Sequence, residues 1–457
     1  MKLGTRRPSR PARQRKRDGA RPAVDDATQA GNEGPEQTVV IERLSHEGRG
    51  VARDHSGKTL FVDGALPEER VHIRRHRQRK RFDEAHVVAR ETDSPLRVVP
   101  ECEHFSSCGG CSLQHLSLEG QRTYKRGVLA EHLEREQVDH PMPGLIAGSG
   151  YGYRRRARLG VKVDRQGELL FGFRRAGSDR LFNIHQCPVL TPVLEALLPA
   201  LRQQLERLAD PQQVGHVELI DAQPVVVSIR QIKARPDDEA LWREFAGEQG
   251  VSLYLNGEPA SDGTASSSHY LLKGTGGDSG YALDIGFRPG DFIQVNADIN
   301  RQLVETVLEW LSPAANDRIM DLFAGVGNFS LPIALSGARV TAIEGSNAMV
   351  SRLDDNAQQA GVEIDARAQD LNQPPSFMAS DAVVLDPPRD GAQKIAAALA
   401  SEGPERVIYI SCNPATLARD AALLGQGGYR LTQLKLVDMF PQTAHMESVS
   451  LFVRDHQ

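Results

Sequence analysis

From about Asp291 onward, short apolar runs alternate with stretches of helical character. RIMDLFA, RVTAIEG, EIDARAQD, DAVVLDP and RVIYISC are the strand-like runs, and each is followed by a segment that reads as a helix. Strands separated by helices cannot close as hairpins; they pair in parallel, with helices covering both faces of the sheet. A doubly wound sheet of this kind places its ligand sites outside the carboxyl ends of its strands. The side chains that end these runs therefore carry the most information: Asp321, Glu344, Asp370, Asp386 and Cys412.

Around the first of them the text is DLFAGVGNFSLPIAL, residues 321–335. A strand ends in an acid, and a turn with Gly325 and Gly327 leads into a helix. Glu344 ends the next strand, 19 residues after Gly325, where a carboxylate can take two ribose hydroxyls. A dinucleotide fingerprint would carry a third glycine at 330, but Ser330 stands there, and no P-loop lysine is present. A nucleoside cofactor without a pyrophosphate needs the turn and the carboxylate only, and S-adenosyl-L-methionine fits that description.

LDPPRDG, residues 385–391, ends the fourth run, and its prolines stiffen the backbone that holds Asp386 toward the crevice. Methyltransferases of exocyclic amino groups follow such prolines with an aromatic that stacks on the base. Arg389 takes that place here, which argues against amino methylation. The fifth run is IYISCNPATL, where a buried strand stops at Cys412 and a helix restarts with Asn413 as N-cap and Pro414 in its first turn. A buried thiol can be mere packing. At a helix N-terminus, beside Asp386, it reads instead as a nucleophile. A methyltransferase needs one when the target carbon is too unreactive to attack a sulfonium, as carbon 5 of a pyrimidine is. Thiolate addition at carbon 6 makes carbon 5 nucleophilic, and a base must then remove the carbon 5 proton. His445 and Glu447, in FPQTAHMESVSLF, are the candidates for that base.

The first half has a different texture. The opening 22 residues are almost purely basic and lack the apolar core of a secretory signal, so residues 1–36 are expected to be a disordered arm and linker that touches phosphates. No run approaches the ~20 apolar residues of a membrane span, and a cytoplasmic monomer without membrane contact is expected. Residues 37–97 alternate β-branched runs with Gly, Asp and Pro turns, as a small β-barrel does. One of its hairpins carries Arg70, Arg74, Arg75, Arg77, Arg79, Lys80 and Arg81, a density that suits a polyanion. In YRRRARLG, Tyr151 and Tyr153 beside Arg154, Arg155, Arg156 and Arg158 suit stacking on single-stranded bases. Cys102, Cys108, Cys111 and Cys187 fall within residues 98–290, a central α+β region; Cys187 is followed by Pro188. Four grouped cysteines in a cytosolic chain argue for a metal site rather than disulfides, and spacing alone does not separate structural zinc from an iron–sulfur cluster.

Taken together, EGRGVARDHSGKTLFVDGALPEE, PECEHFSSCGGCSLQH, FIQVNADIN, DLFAGVGNFSLPIA, VVLDPPRDG, YISCNPATLARD and FPQTAHMESVSLF resemble the RNA 5-methyluridine (uracil-C5) methyltransferase family over about residues 38–457. The likeness is strongest to its iron–sulfur branch acting on bacterial 23S ribosomal RNA. The resemblance implies a class I S-adenosylmethionine-dependent methyltransferase domain at 291–457, preceded by an OB-like TRAM barrel and a central domain with a 4Fe-4S cluster on Cys102, Cys108, Cys111 and Cys187. It implies Cys412 as nucleophile, Glu447 as base, and cofactor contacts from Gln294, Phe323, Asn328, Glu344, Asp370 and Asp386. The family's transfer-RNA branch lacks the barrel and the cysteines, so ribosomal RNA is the expected partner and transfer RNA or another ribosomal site the alternative. A non-catalytic assembly factor would not need Cys412, Asp386 and Glu447 intact. A radical S-adenosylmethionine enzyme would space three cysteines by three and two residues, whereas here the spacing is five and two.

Overall fold

The computed structural model describes residues 36–260, 268–274 and 280–454; the basic arm, apart from Glu36, lies outside them. The amino-terminal unit is a six-stranded sheet in the spatial order Gln37–Val40, Arg70–Gln78, Phe82–Arg90, Thr59–Asp63, Gly50–Arg53, Arg43–Leu44. Alternate residues of these strands turn inward, and Val39, Leu60, Val62, Val71, Ile73 and Ala85 form its core.

The arginine hairpin is only partly what its composition suggests. Arg75 is half-buried and bridges Asp54 at 3.0 Å and Asp83 at 3.1 Å, while Arg70 pairs with Glu91, Arg74 with Glu36 and Arg77 with Glu84. Carboxylates on neighbouring strands thus neutralise much of the row. The exposed turn keeps Arg79, Lys80 and Arg81 in water.

Next along the chain is a seven-stranded sheet, built from Leu181–Asn183, Leu169–Arg174, Arg156–Val163, Val214–Ile220, Val226–Gln231, Ser252–Leu255 and Glu258–Pro259 in that spatial order. Helices Leu198–Arg207 and Pro236–Gln249 cover it, with Trp242 fully buried between them and the sheet. Two members of the tyrosine–arginine run that opens this sheet are structural, while Arg158 stays exposed. Tyr153 is buried and donates its hydroxyl to the Pro441 carbonyl, and Arg155 is buried with its guanidinium 4.2 Å above the Tyr270 ring.

The carboxyl-terminal sheet has eight strands, ordered Ile364–Ala368, Arg339–Glu344, Arg318–Leu322, Ala382–Leu385, Arg406–Ser411, Glu447–Arg454, Tyr429–Val437, Gly144–Ile146. The five strands expected from the sequence run parallel to one another. The central strands, buried on both faces, read as continuous apolar text such as the Ala-Val-Val-Leu of 382–385, whereas the edge strand Ile364–Ala368 carries Asp365 and Arg367 and is largely exposed. Strand order reverses between Arg318–Leu322 and Ala382–Leu385, which opens a crevice at their carboxyl ends.

Two features depart from the sequence reading. No helix succeeds Ile364–Ala368: the chain makes a turn in which Asp370 accepts hydrogen bonds from the backbone and side chain of Asn372, and Pro374-Pro375 then bars helix formation. Residues 98–290 also do not stay together. Helix Leu118–Arg135 lies on helix Pro414–Gln426, burying Val128, Leu129 and Leu133 among Leu417, Ala421 and Leu424, and Gly144–Ile146 becomes the last strand of the eight-stranded sheet. A three-residue strand has too little text to announce itself.

Candidate active site

The loop after strand Arg318–Leu322 is tight. Phe323, Gly325 and Gly327 all have positive φ, of 63°, 58° and 103°. That conformation is costless for glycine and strained for phenylalanine, and it turns the chain sharply over the strand ends. The Glu344 carboxylate fixes the loop from the next strand, accepting from the Gly325 N–H at 3.1 Å and from the Ser346 N–H at 3.0 Å. Phe323, Glu344, Asp370 and Pro388 line one cavity of about 640 Å³, with Asp370 exposed at its rim. Asn328 turns its amide inward: it exchanges two hydrogen bonds with Asn300, and its oxygen also accepts from the Tyr270 hydroxyl at 3.4 Å.

The other side of the crevice gathers the acids and the thiol. Asp386 directly follows Ala382–Leu385. Cys412 follows Arg406–Ser411, ahead of a helix capped by Asn413, whose side chain accepts from Ala415 N. Glu447 heads the last strand. Strands Arg406–Ser411 and Glu447–Arg454 are antiparallel with Ser411 opposite Ser448; Cys412 and Glu447 are the next residues beyond that pair, and the Glu447 charge acts on the Cys412 thiol. Gln294 donates from Nε2 to Asp386 Oδ2 at 3.4 Å, and its own carbonyl accepts from Arg155 Nε at 2.8 Å. The structure therefore brings Gln294, Asp386, Cys412 and Glu447 together, beside the cavity lined by Phe323, Glu344 and Asp370.

Electrostatically this is an unrelaxed site. Withdrawal from water pushes Asp386 up to about 7, and withdrawal from water together with the Asp386 charge pushes Glu447 up to about 8. Glu447 is buried and its Oε2 has no hydrogen-bond partner among the described residues. The Cys412 thiol is raised, by burial first and then by Glu447 and Asp386, with Arg389 pulling the other way. The activation expected from the helix N-terminus is thus outweighed in the free protein by burial and two nearby carboxyls. Arg389 reaches toward His445 Nδ1 at 3.5 Å, at the exposed rim.

Sequence reasoning gave no role to several residues that hold this site. Asp321 is fully buried; its Oδ2 accepts from the Ser330 hydroxyl, its Oδ1 has no partner among the described residues, and burial pushes it up to about 7. Its position at a strand end was the available signal. Tyr270 and Asn300 carry no local signal, because they meet the site only through space; Arg155 carried a signal, but for RNA rather than for this site.

Cys102, Cys108, Cys111 and Cys187 are all free thiols and line a single cavity of about 250 Å³. Among the described residues no group of three or more His, Cys, Asp or Glu is arranged to hold one metal ion. Burial pushes the Cys111 thiol up to about 11 and the Cys187 thiol up to about 12, the neighbouring thiols adding to both. Four such sulfurs around one space are a donor set that a metal centre would use, and coordination would deprotonate them.

A doubly wound sheet, a glycine turn over the first strand and an acid closing the second define a class I S-adenosylmethionine-dependent methyltransferase fold. The tRNA (Uracil-5-)-methyltransferase family matches residues 282–455, and the TRAM domain matches residues 32–88. The 23S rRNA (uracil(1939)-C(5))-methyltransferase RlmD of Chromohalobacter salexigens is 49% identical over 467 residues, covering 99% of this chain and 96% of its own. That of Halomonas elongata is 46% identical over 467 residues, covering 98% and 96%. In fold, the chain is similar to the Pyrococcus abyssi tRNA (uracil-54, C5)-methyltransferase solved with S-adenosyl-L-homocysteine, with a TM-score of 0.70, 24% identity, and coverage of 91% of this chain and 99% of that one; coverage of that extent takes in the barrel region, so a barrel does not by itself separate ribosomal-RNA from transfer-RNA enzymes as the sequence reading expected. The chain belongs to the RlmD-type branch of the RNA uracil-C5 methyltransferase family and is an S-adenosylmethionine-dependent enzyme with an amino-terminal TRAM domain. No described helix is long and apolar enough to cross a membrane.

Proposed function

We propose that the enzyme forms 5-methyluridine in 23S ribosomal RNA, at the uridine its relatives are named for, U1939, through a covalent adduct on Cys412. The observation that carries this reading is the meeting of Cys412 with Glu447 and Asp386 at the strand-end crevice, just beyond the Ser411–Ser448 pair. The Cys412 sulfur bonds to carbon 6 of the uracil, and the electron pair of the carbon 5–carbon 6 double bond moves to carbon 5 and the carbonyl at carbon 4. When bound, S-adenosylmethionine supplies the methyl group that this carbon 5 takes, and its positive sulfonium favours the Cys412 thiolate. Glu447 then removes the carbon 5 proton; the released pair restores the double bond and expels the Cys412 thiolate from carbon 6. In the free protein Glu447 is pushed up to about 8 and holds its own proton at neutral pH, so it must lose that proton before it can act; the cofactor's positive charge favours the ionised carboxylate as it does the Cys412 thiolate. Gln294, Phe323, Asn328, Glu344, Asp370 and Asp386 would hold the cofactor: Glu344 and Asp370 its polar groups, Phe323 its apolar ring face.

For the four cysteines we read a 4Fe-4S cluster in a structural role, since no step above moves an electron alone. The TRAM turn at Arg79, Lys80 and Arg81 supplies cationic grip on the RNA backbone. Ribosomal RNA as substrate places the enzyme in the cytoplasm. The test is transfer of a labelled methyl group to unmodified 23S rRNA transcripts. Label is expected in 5-methyluridine and absent when U1939 is replaced by cytidine; label unaffected by that replacement, or found only in transfer RNA, contradicts the reading.

A further inference from the structure

Glu447 is the first residue of its strand, and the nine residues before it, 438–446, connect it back to Val437. A connection of that length does not hold its own shape. Its internal hydrogen bonds are few, chiefly Thr443 Oγ1 to the Phe440 carbonyl and His445 N to Thr443 Oγ1. Its support comes from the segment that carries the cysteines. The Gln442 carbonyl accepts from both Ser112 N and Leu113 N at 2.9 Å, directly after Cys111 in the chain. The Gln121 side chain takes Gln442 from the other side, its oxygen accepting from Gln442 N at 2.8 Å and its Nε2 donating to Gln442 Oε1 at 2.9 Å. The same Nε2 also lies within hydrogen-bond distance of the carbonyls of Leu113 and Leu116, its two hydrogens serving three acceptors, so one buried amide ties the cysteine loop and the Gln442 turn together. Ala444 N donates to Ser112 Oγ at 3.0 Å, the Tyr153 hydroxyl donates to the Pro441 carbonyl, and Lys125 Nζ donates to the Phe440 carbonyl.

Gln442 has φ of 68°, a left-handed conformation that a glutamine adopts only when its surroundings over-determine it. Gln121 is fully buried and Gln442 nearly so, which makes each of these bonds costly to lose. Glu447, by contrast, has a carboxylate oxygen with no partner among the described residues to anchor it. Its backbone is held on one side by the strand pairing with Val437, and on the other only by the connection leading into it.

We propose that Gln442 and Gln121 are positioning residues for Glu447, latching the 438–446 connection to the cysteine loop, so that proton removal from carbon 5 depends on that loop being folded around its four thiols. The proposal rests on the role given to Glu447 above. Addition of Cys412 and methyl transfer draw on strand ends that the latch does not touch. The latch thus acts on the last step alone: with Glu447 displaced, the carbon 5 proton stays, no electron pair is freed, and the Cys412–carbon 6 bond persists.

The test uses the full-length enzyme and RNA tritiated at uridine carbon 5. Gln121→Met keeps the side chain's length and burial but removes its hydrogen bonds; Ser112→Ala, at an exposed position, removes one bond to the connection and keeps the question open should the first variant fold poorly. Misplacing a catalytic group by about 1 Å can cost about 100-fold. For Gln121→Met we expect tritium release slowed by about that factor, a burst of one methyl transferred per enzyme, and an RNA adduct that accumulates on a denaturing gel. Ser112→Ala should slow release about fivefold, as one hydrogen bond would. Without RNA, hydrogen–deuterium exchange over 438–447 should quicken in both variants and in Cys108→Ser, with S-adenosylmethionine affinity unchanged. Wild-type tritium release and wild-type exchange in both latch variants would overturn the proposal. Wild-type enzyme that forms no adduct with 5-fluorouridine RNA would instead overturn the role of Cys412, leaving the two failures distinguishable.

Discussion

Replacing Glu447 by glutamine should stabilise the ligand-free enzyme, and more so as pH rises. In the folded protein Glu447 is pushed from 4.5 up to about 8 by burial and by the Asp386 charge. A carboxyl raised on folding keeps a proton that the unfolded chain has already released. Its presence therefore costs no stability below about 4.5, and the cost grows as pH rises toward 8. Integrated over that shift, ionising the unfolded chain while the folded one stays protonated costs about 1 kcal/mol at pH 5 and about 4 kcal/mol at pH 8. The residue is 4% exposed, so solvent does little to screen it. Glutamine does not titrate, and the difference between wild type and variant should widen by about 3 kcal/mol between the two pH values. At about 2–4 °C per kcal/mol for a domain of 150–250 residues, melting curves of the two proteins at pH 5 and pH 8 resolve this easily. A difference that is constant across pH, or that shrinks toward pH 8, would refute the picture of two carboxyls crowded into one crevice.

Reversing the charges of Arg79, Lys80 and Arg81 should weaken binding of a 23S rRNA fragment and flatten its salt dependence by roughly 0.7–0.9 for each phosphate no longer neutralised, leaving S-adenosylmethionine affinity unchanged; an intact salt slope by filter binding would remove the TRAM turn as an RNA-binding element. Anaerobically purified enzyme should be brown, with iron and sulfide in equal amounts, and Cys108→Ser should bleach it; colourless protein with one zinc would contradict the cluster.

Much of the site was open to reading because an α/β sheet exposes its chemistry at strand ends. Asp386, Cys412 and Glu344 each close a strand that announces itself by apolar text, and turn chemistry at Gly325 and Asn413 marks the passage from strand to helix. Charge was the poorer guide. Arg75 and Arg155 look like nucleic-acid ligands in the chain, yet Asp54 and Asp83 claim the first and the Tyr270 ring the second. Pairings of that kind depend on which strands become neighbours, which a run of arginines does not encode. The Gln121–Gln442 pair spans 321 positions, and nothing local in either glutamine points to the other. Helix Leu118–Arg135 was misplaced for the same reason, since its partner, Pro414–Gln426, lies at the far end of the chain.

The central claim is that Cys412 bonds to the target uracil while Glu447 completes the reaction, and trapping tests it most directly. Wild-type enzyme incubated with S-adenosylmethionine and 23S rRNA carrying 5-fluorouridine at the target should migrate as an RNA–protein adduct on a denaturing gel, because fluorine cannot leave as a cation. Glu447→Gln should give the same band with ordinary RNA, and Cys412→Ala should give it with neither while still binding RNA and cofactor. Full methylation by Cys412→Ala, or no adduct from wild type with 5-fluorouridine RNA, would contradict the account and return Cys412 to the packing of the strand it ends.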